Sequence, residues 1–232
     1  MKRIVMALSG GMDSATLLGL LLEFGGEYEV HCCTFYYGSK HGKWENRAAE
    51  ELLDFYLNRN HPVFAYPIDL SGVMQNFKSD LLLTGGEIPE GHYENENMRK
   101  TVVPGRNMIF ISILAGLAES VGAEQIALGV HAGDHHIYPD CRKEFIKAVD
   151  SAVYLSSDRK VEVIAPLIDD TKTTILKKGM HCSPPVPYAL TRTCYKNQAI
   201  SCGKCGSCNE RREAFDNIGM IDPVPYATDK EV

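Results

Sequence analysis

The sequence predicts an α/β fold, a doubly wound parallel sheet with helices on both faces. Strands and helices alternate from the N-terminus to about residue 180, the pattern of βαβ units with right-handed crossovers. The stretch from Ile4 to Thr16 passes from an apolar strand through Ser9-Gly10-Gly11 into a helix, a joint at which such sheets bind anions. The chain's 232 residues suffice for one such domain with a small appendix.

Ile4 to Leu8 carries no charge and stops at a turn signal, so it reads as a buried strand. From Asp13 the spacing is helical, with Leu17, Leu18, Leu21 and Leu22 recurring on one side. The glycines between let the backbone approach a ligand closely, and the turn's N–H groups with the helix N-terminus favour a phosphate. Asp13 has two readings, a helix cap or a holder of Mg²⁺ bridging phosphates, and Ser14 can donate its hydroxyl to one of them. The spacing is neither that of the lysine-bearing phosphate loop nor that of the dinucleotide fingerprint.

Tyr28 to Tyr37 is a second strand, and a doubly wound sheet brings its C-terminal end beside the glycine turn. A helix over Lys43 to Asn58 presents Ala48, Leu52, Phe55 and Tyr56, and Pro62 to Leu70 is a third strand. Residues 71–103 hold Gly85-Gly86, Pro89, Gly91 and Asn95-Glu96-Asn97, too long a loop for a connector. An active-site lid and a solvated insertion are the two readings. The helix from Met108 to Val121 is apolar nearly all round, which predicts burial. Arg106 and Asn107 sit at its first turn, where an arginine either reaches a phosphate with a bidentate fork or simply faces solvent.

Gln125 to Val130 is a fourth strand, followed by three histidines, two aspartates and a cysteine between His131 and Arg142. Such a cluster at a strand's C-terminal end is a candidate site. Its spacing matches no standard metal-ligand set, so contacts to substrate or Mg²⁺ are the stronger reading. A helix over 142–155, a strand from Val161 to Ala165 and a helix from Lys172 to Met180 complete the alternation.

Cys194, Cys202, Cys205 and Cys208 form two overlapping Cys-x2-Cys turns plus a fourth cysteine. Four thiolates so placed bind Zn²⁺ in a closed, structural site, with an iron–sulfur cluster as the rival. Of the other cysteines, Cys141 stands at a helix start, a weak signal for a nucleophile. Domain boundaries are expected at 1–180 for the nucleotide-binding part and 181–232 for a C-terminal zinc-binding segment packed on it. No apolar run approaches the roughly 20 residues of a membrane span, and no signal peptide is evident. A cytoplasmic protein with reduced thiols and no membrane partner is expected. The net charge of −6 speaks against an extended nucleic-acid surface and for a small-molecule substrate.

The Ser9-Gly10-Gly11-Met12-Asp13-Ser14 stretch resembles the signature of the ATP pyrophosphatase superfamily, whose members split ATP between the α and β phosphates and adenylate a substrate. Together with Pro104-Gly105-Arg106-Asn107, Tyr138-Pro139-Asp140-Cys141-Arg142, Leu190-Thr191-Arg192-Thr193-Cys194-Tyr195 and the cysteine cluster, it resembles the 7-cyano-7-deazaguanine synthase family from residue 1 to about 215. The resemblance implies a Rossmann-like fold, use of ATP and Mg²⁺, one structural Zn²⁺ per chain and a homodimer. It implies conversion of 7-carboxy-7-deazaguanine and ammonia to the nitrile, through an adenylate and an amide.

On that resemblance ATP contacts fall to Leu8, Ser9, Gly10, Gly11, Met12, Asp13, Ser14, Ala15 and Thr16. Catalysis falls to Asp13, Ser14, Arg106 and Lys172, the last beside the leaving pyrophosphate. Substrate contacts fall to Asn107, Asp134, Tyr138, Asp140 and Arg142. The chain departs from the family pattern at His135-His136-Ile137 and at Tyr36-Tyr37-Gly38-Ser39-Lys40-His41. A related adenylase that stops at the amide, conjugates a deazaguanine to another amine or modifies a tRNA base remains an alternative. So does a nucleotide-sensing zinc module without turnover.

Overall fold

The computed structural model describes residues 1–23, 28–92, 95–133 and 137–230. Five strands, β1 (Lys2–Ala7), β2 (Tyr28–Tyr36), β3 (Val63–Asp69), β4 (Gln125–Ala127) and β5 (Glu162–Ile164), form one parallel sheet in the order β3-β2-β1-β4-β5. Between and after them run α1 (Met12–Glu23), α2 (Gly42–Leu57), the short α3 (Ser71–Met74), α4 (Arg106–Val121), α5 (Lys143–Ser156), α6 (Lys172–His181) and α7 (Gly206–Asp216).

β1 is central, with Ile4 paired to Val30 on one side and to Gln125 on the other. Ile4, Met6 and Leu8 join Leu17, Leu52 and Leu176 in one core, while Val5 joins Ile111, Leu114 and Ile126 in a second. Both faces are covered, which is why this strand reads as an unbroken apolar run rather than an alternation. Chain order reverses at β1, so a crevice opens past the carboxyl ends of β1 and β4, where α/β sheets bind ligands.

Four segments differ from expectation. β4 and β5 keep three residues each: Leu128 N–H still donates to the Ile164 carbonyl at 2.9 Å, and Leu128, Gly129 and Val130 go on to form cavity wall. α4 is not buried all round: only Ile111, Leu114 and Ala118 are enclosed, and Met108 is 45 % exposed. A helix laid on a sheet face has only one side to cover. The described part of residues 71–103 is not a solvated insertion, since Met74, Leu81, Leu82, Ile88 and Met98 are buried in the second core. Lys40 Nζ fastens the loop by donating to the carbonyls of Asp80, Leu82, Gly85 and Gly86 at 2.6, 2.7, 3.3 and 2.7 Å. A lysine so used leaves no periodic trace in the sequence.

The C-terminal part packs against both cores, with Ala214 and Phe215 in one and the four clustered cysteines in the other. Its centre is Arg211, 1 % exposed. Arg211 forks onto Asp222 at 2.7 and 2.9 Å and donates to Thr191 Oγ1, Thr193 Oγ1 and the Tyr188 carbonyl. All five donors are used, and breaking so enclosed a pair by removing one partner costs about 3–5 kcal/mol. This clamp fixes α7 to residues 188–193, which reach the crevice. Among the described residues no helix is long and apolar enough to cross a membrane.

Candidate active site and metal cluster

A cavity of about 210 Å³ lies at the carboxyl ends of β1, β2 and β4. The glycine turn forms its floor, the end of β2 and the first turns of α2 and α4 its sides, and residues 192–210 close it. Phe35 and Phe110 stack on its wall with ring centroids 4.0 Å apart and planes 7° from parallel, offering a flat apolar face.

Gly10 has φ of +75°, and a Cβ there would lie 2.5 Å from the Glu45 carbonyl oxygen. Only glycine fits where the turn presses on α2. Ser14 Oγ donates to the Gly11 carbonyl and accepts from the Ser9 N–H, both at 3.2 Å, and lies 3.1 Å from Ser9 Oγ. Leu8, Ser9, Gly11, Met12, Asp13 and Ser14 line the cavity. Ala15 and Thr16 do not, since both face the core, where Thr16 Oγ1 lies 2.7 Å from Tyr188 OH.

Lys172, at the start of α6, is 8 % exposed and is brought to the turn by the sheet topology. Its Nζ donates to Asp13 Oδ2 at 2.6 Å, lies 3.0 Å from His131 Nε2 and 3.4 Å from Glu210 Oε2. Burial works against the Asp13 carboxylate, but the Lys172 ammonium, by its charge and its hydrogen bond, outweighs it and holds the carboxyl below its ordinary range. Asp13 Oδ1 is buried and has no hydrogen-bond partner among the described residues.

Arg106 donates to Tyr37 OH at 3.4 Å, and its guanidinium carbon lies 5.8 and 5.9 Å from the Tyr37 and Tyr138 rings. Asn107 donates from its backbone to Asp140 Oδ2 at 2.9 Å and from its side chain to the Asp140 carbonyl and Cys141 Sγ. Asp140 therefore pins the first turn of α4 from outside the cavity. Tyr138 lines the cavity, its hydroxyl 3.0 Å from Thr101 Oγ1. Arg142 is exposed at the N-cap of α5 and lies outside the cavity lining. Asp134, with His135 and His136, falls outside the described residues.

The cavity also takes His41, Glu45, Asn46, Arg192, Tyr195, Ser207 and Glu210, which the sequence reading did not single out as site residues. His41 and Glu45 carried a usable signal, an i, i+4 pair at a helix start. Ser207 and Glu210 carried none, being placed by the cysteine cluster and Arg211.

Cys194, Cys202, Cys205 and Cys208 are buried, with sulfurs within 4.8 Å of one another. Cys202 N–H donates to Cys194 Sγ at 3.3 Å, and the N–H groups of Lys204 and Cys205 donate to Cys202 Sγ at 3.4 and 3.3 Å. Backbone donors aimed at sulfur stabilise thiolates, so the donor set fits one metal ion.

A family model described as "Queuosine biosynthesis protein QueC" matches residues 3–219. The chain belongs to the QueC family. Its QueC-family relatives include a protein of Pseudoalteromonas atlantica, 40 % identical over 97 % of this chain and 99 % of its own length. One from Archaeoglobus fulgidus is 44 % identical over 96 % of this chain and 89 % of its own. Both are named 7-cyano-7-deazaguanine synthase. A solved 4-thiouridine synthetase–RNA complex with bound ATP superposes with a TM-score of 0.53 at 20 % identity, covering 99 % of this chain and 49 % of that one, a likeness of fold.

Proposed function

We propose that this chain is an ATP-dependent C–N ligase that makes 7-cyano-7-deazaguanine from 7-carboxy-7-deazaguanine, ammonia and ATP. The observation that carries the reading is a single cavity in which the glycine turn meets Lys172 and Arg106, in a QueC-family chain. A carboxylate is a poor electrophile until one oxygen becomes a good leaving group. Adenylation supplies that group, ammonia displaces AMP to give the amide, and a second activation removes the oxygen.

The protein's part is to hold phosphate charge and align the reacting oxygens. The Ser9–Ser14 turn takes the phosphates through its N–H groups and hydroxyls, and Lys172 faces the leaving pyrophosphate. Asp13 would hold Mg²⁺, since an unpartnered buried carboxylate oxygen suits a hard cation, which when bound neutralises phosphate oxygens. Arg106 takes the substrate carboxylate. Asn107 and Tyr138 contact the heterocycle, with Asp140 acting through Asn107, and the aromatic wall supplies a stacking face.

The cysteine cluster holds a structural Zn²⁺: Zn–S bonds of about 2.3 Å place tetrahedral sulfurs about 3.8 Å apart, and Cys202 and Cys208 stand 3.8 Å apart. Residues 181–232 act as a metal-stapled wall of the ATP-binding part. A homodimer is part of the proposal, supported by the exposed Tyr154 and Leu155 on α5.

Purified protein incubated with ATP, Mg²⁺, ammonium and 7-carboxy-7-deazaguanine should yield the nitrile by mass spectrometry, and an Asp13→Ala variant should not. Accumulation of the amide alone would replace the nitrile by an earlier end point. Unchanged acid with unconsumed ATP would defeat the proposal.

A further inference from the structure

His41, the N-cap of α2, and Glu45 in its first turn lie on the cavity wall, four residues apart on one helix side. His41 is 2 % exposed, and its Nε2 lies 3.1 Å from Glu45 Oε2. A carboxylate only accepts, so the dyad is formed by the tautomer with the proton on Nε2, at ion-pair distance from Glu45, and a lone pair on Nδ1. That Nδ1 is buried and has no hydrogen-bond partner among the described residues. Buried polar atoms without a partner are few, and one on a cavity wall is available to a bound group.

The imidazole is held against the Tyr195 ring, centroids 5.3 Å apart, and Tyr195 OH lies 3.4 Å from Tyr138 OH on the proposed substrate side. Titratable groups against it include Glu45 on α2 and Tyr195 from the C-terminal segment, and the hydroxyl of Tyr37, just past β2, feels the Glu45 charge. An imidazole, a carboxylate at ion-pair distance from it and a cavity for the reacting group are the parts of a proton-accepting dyad.

We propose that His41, oriented by Glu45, is the base that removes protons from nitrogen as ammonia becomes amide and amide becomes nitrile. The proposal rests on the reaction read above. In the first step nitrogen bonds to the carboxyl carbon. The C–O bond to the nucleotide breaks, AMP carries off the electron pair, and one N–H proton passes to Nδ1. In the second activation the amide oxygen bonds to the α-phosphorus of another ATP as pyrophosphate leaves and an N–H proton is taken up. The C–O bond then breaks to AMP while the last N–H proton leaves and the C≡N bond closes. Each imidazolium is balanced by Glu45 and returns its proton to water. Adenylation of the acid itself releases no proton from nitrogen, so it does not need this base.

That difference supplies the test. Ammonia-free single-turnover pyrophosphate release reads adenylation; ammonia-dependent amide formation, and nitrile formation from added amide, read the proton-removal steps. His41→Asn should keep the pyrophosphate burst within severalfold of wild type and lose at least about 100-fold in amide and nitrile formation. Glu45→Gln should show the same split with a smaller loss, and free imidazole should restore part of the amide rate to His41→Ala. Equal loss of burst and amide in both variants, or no loss in either, would reduce the pair to wall residues and overturn the proposal. A wild-type protein that gives no burst with the acid would instead defeat the reaction reading, and the dyad with it.

Discussion

Gly10 and Gly116 make opposite demands on a methyl group. At Gly10 the backbone is left-handed and an added Cβ would stand 2.5 Å from the Glu45 carbonyl and 2.8 Å from the Ala49 nitrogen. Gly10→Ala therefore carries about 1–2 kcal/mol of conformational strain, plus a clash relieved only by pushing α2 off the turn. At Gly116, in the middle of α4, nothing lies within 4 Å of the same Cβ. Gly116→Ala should stabilise the fold by about 0.5–1 kcal/mol, by removing backbone freedom from the unfolded chain. Urea titrations of the two variants should move in opposite directions, and a Gly10→Ala protein as stable as wild type would refute the packing described for the turn. The turn was legible because its chemistry lies within a few consecutive residues. The Asp13–Lys172 pair was not legible from spacing, because 159 positions separate its partners and only the sheet topology joins them.

The cysteine cluster and α7 form an element whose ligands could be read from spacing but whose reach into the cavity could not. Two overlapping Cys-x2-Cys turns announce a metal, yet Glu210 arrives at Lys172 only because α7 starts on that cluster and is clamped by Arg211. Stripping the proposed Zn²⁺ should free the four sulfurs while the sheet persists. All eight cysteines are buried in the folded protein. Burial pushes the Cys33 and Cys182 thiols up to about 12 and raises Cys32 as well, so these stay protonated and unreactive at neutral pH. Alkylation followed by peptide mass mapping should show Cys194, Cys202, Cys205 and Cys208 becoming reactive after chelation, with Cys32, Cys33 and Cys182 protected. Simultaneous labelling of Cys32 and Cys33 would mean that the cluster holds the whole domain together, contrary to a local staple.

For the molecule as a whole, the alternation of strands and helices was enough to read a parallel sheet covered on both faces. The strand order, and hence where the crevice opens, belongs to long-range packing that local spacing does not encode. The same packing buries phenols that the sequence presents merely as tyrosines. Burial raises Tyr37 to about 12, with the Glu45 charge adding to it, and burial raises Tyr56, Tyr188 and Tyr226 further still. In the unfolded chain all four would ionise near pH 10. Below that pH both states keep their protons and stability is unaffected. Above it the unfolded chain loses protons that the folded chain retains, so stability falls as pH rises from about 10 toward the folded-state values. Phenolate absorbance should therefore rise in two stages. The more exposed of the eleven tyrosines titrate first, and the buried ones ionise in a cooperative step coincident with loss of far-ultraviolet circular dichroism. Tyr56→Phe removes a buried hydroxyl that has no partner among the described residues, and should shift that second step to higher pH. A single smooth phenolate titration with the fold intact would show that these rings are open to solvent, and would undo the packing from which the site itself was derived.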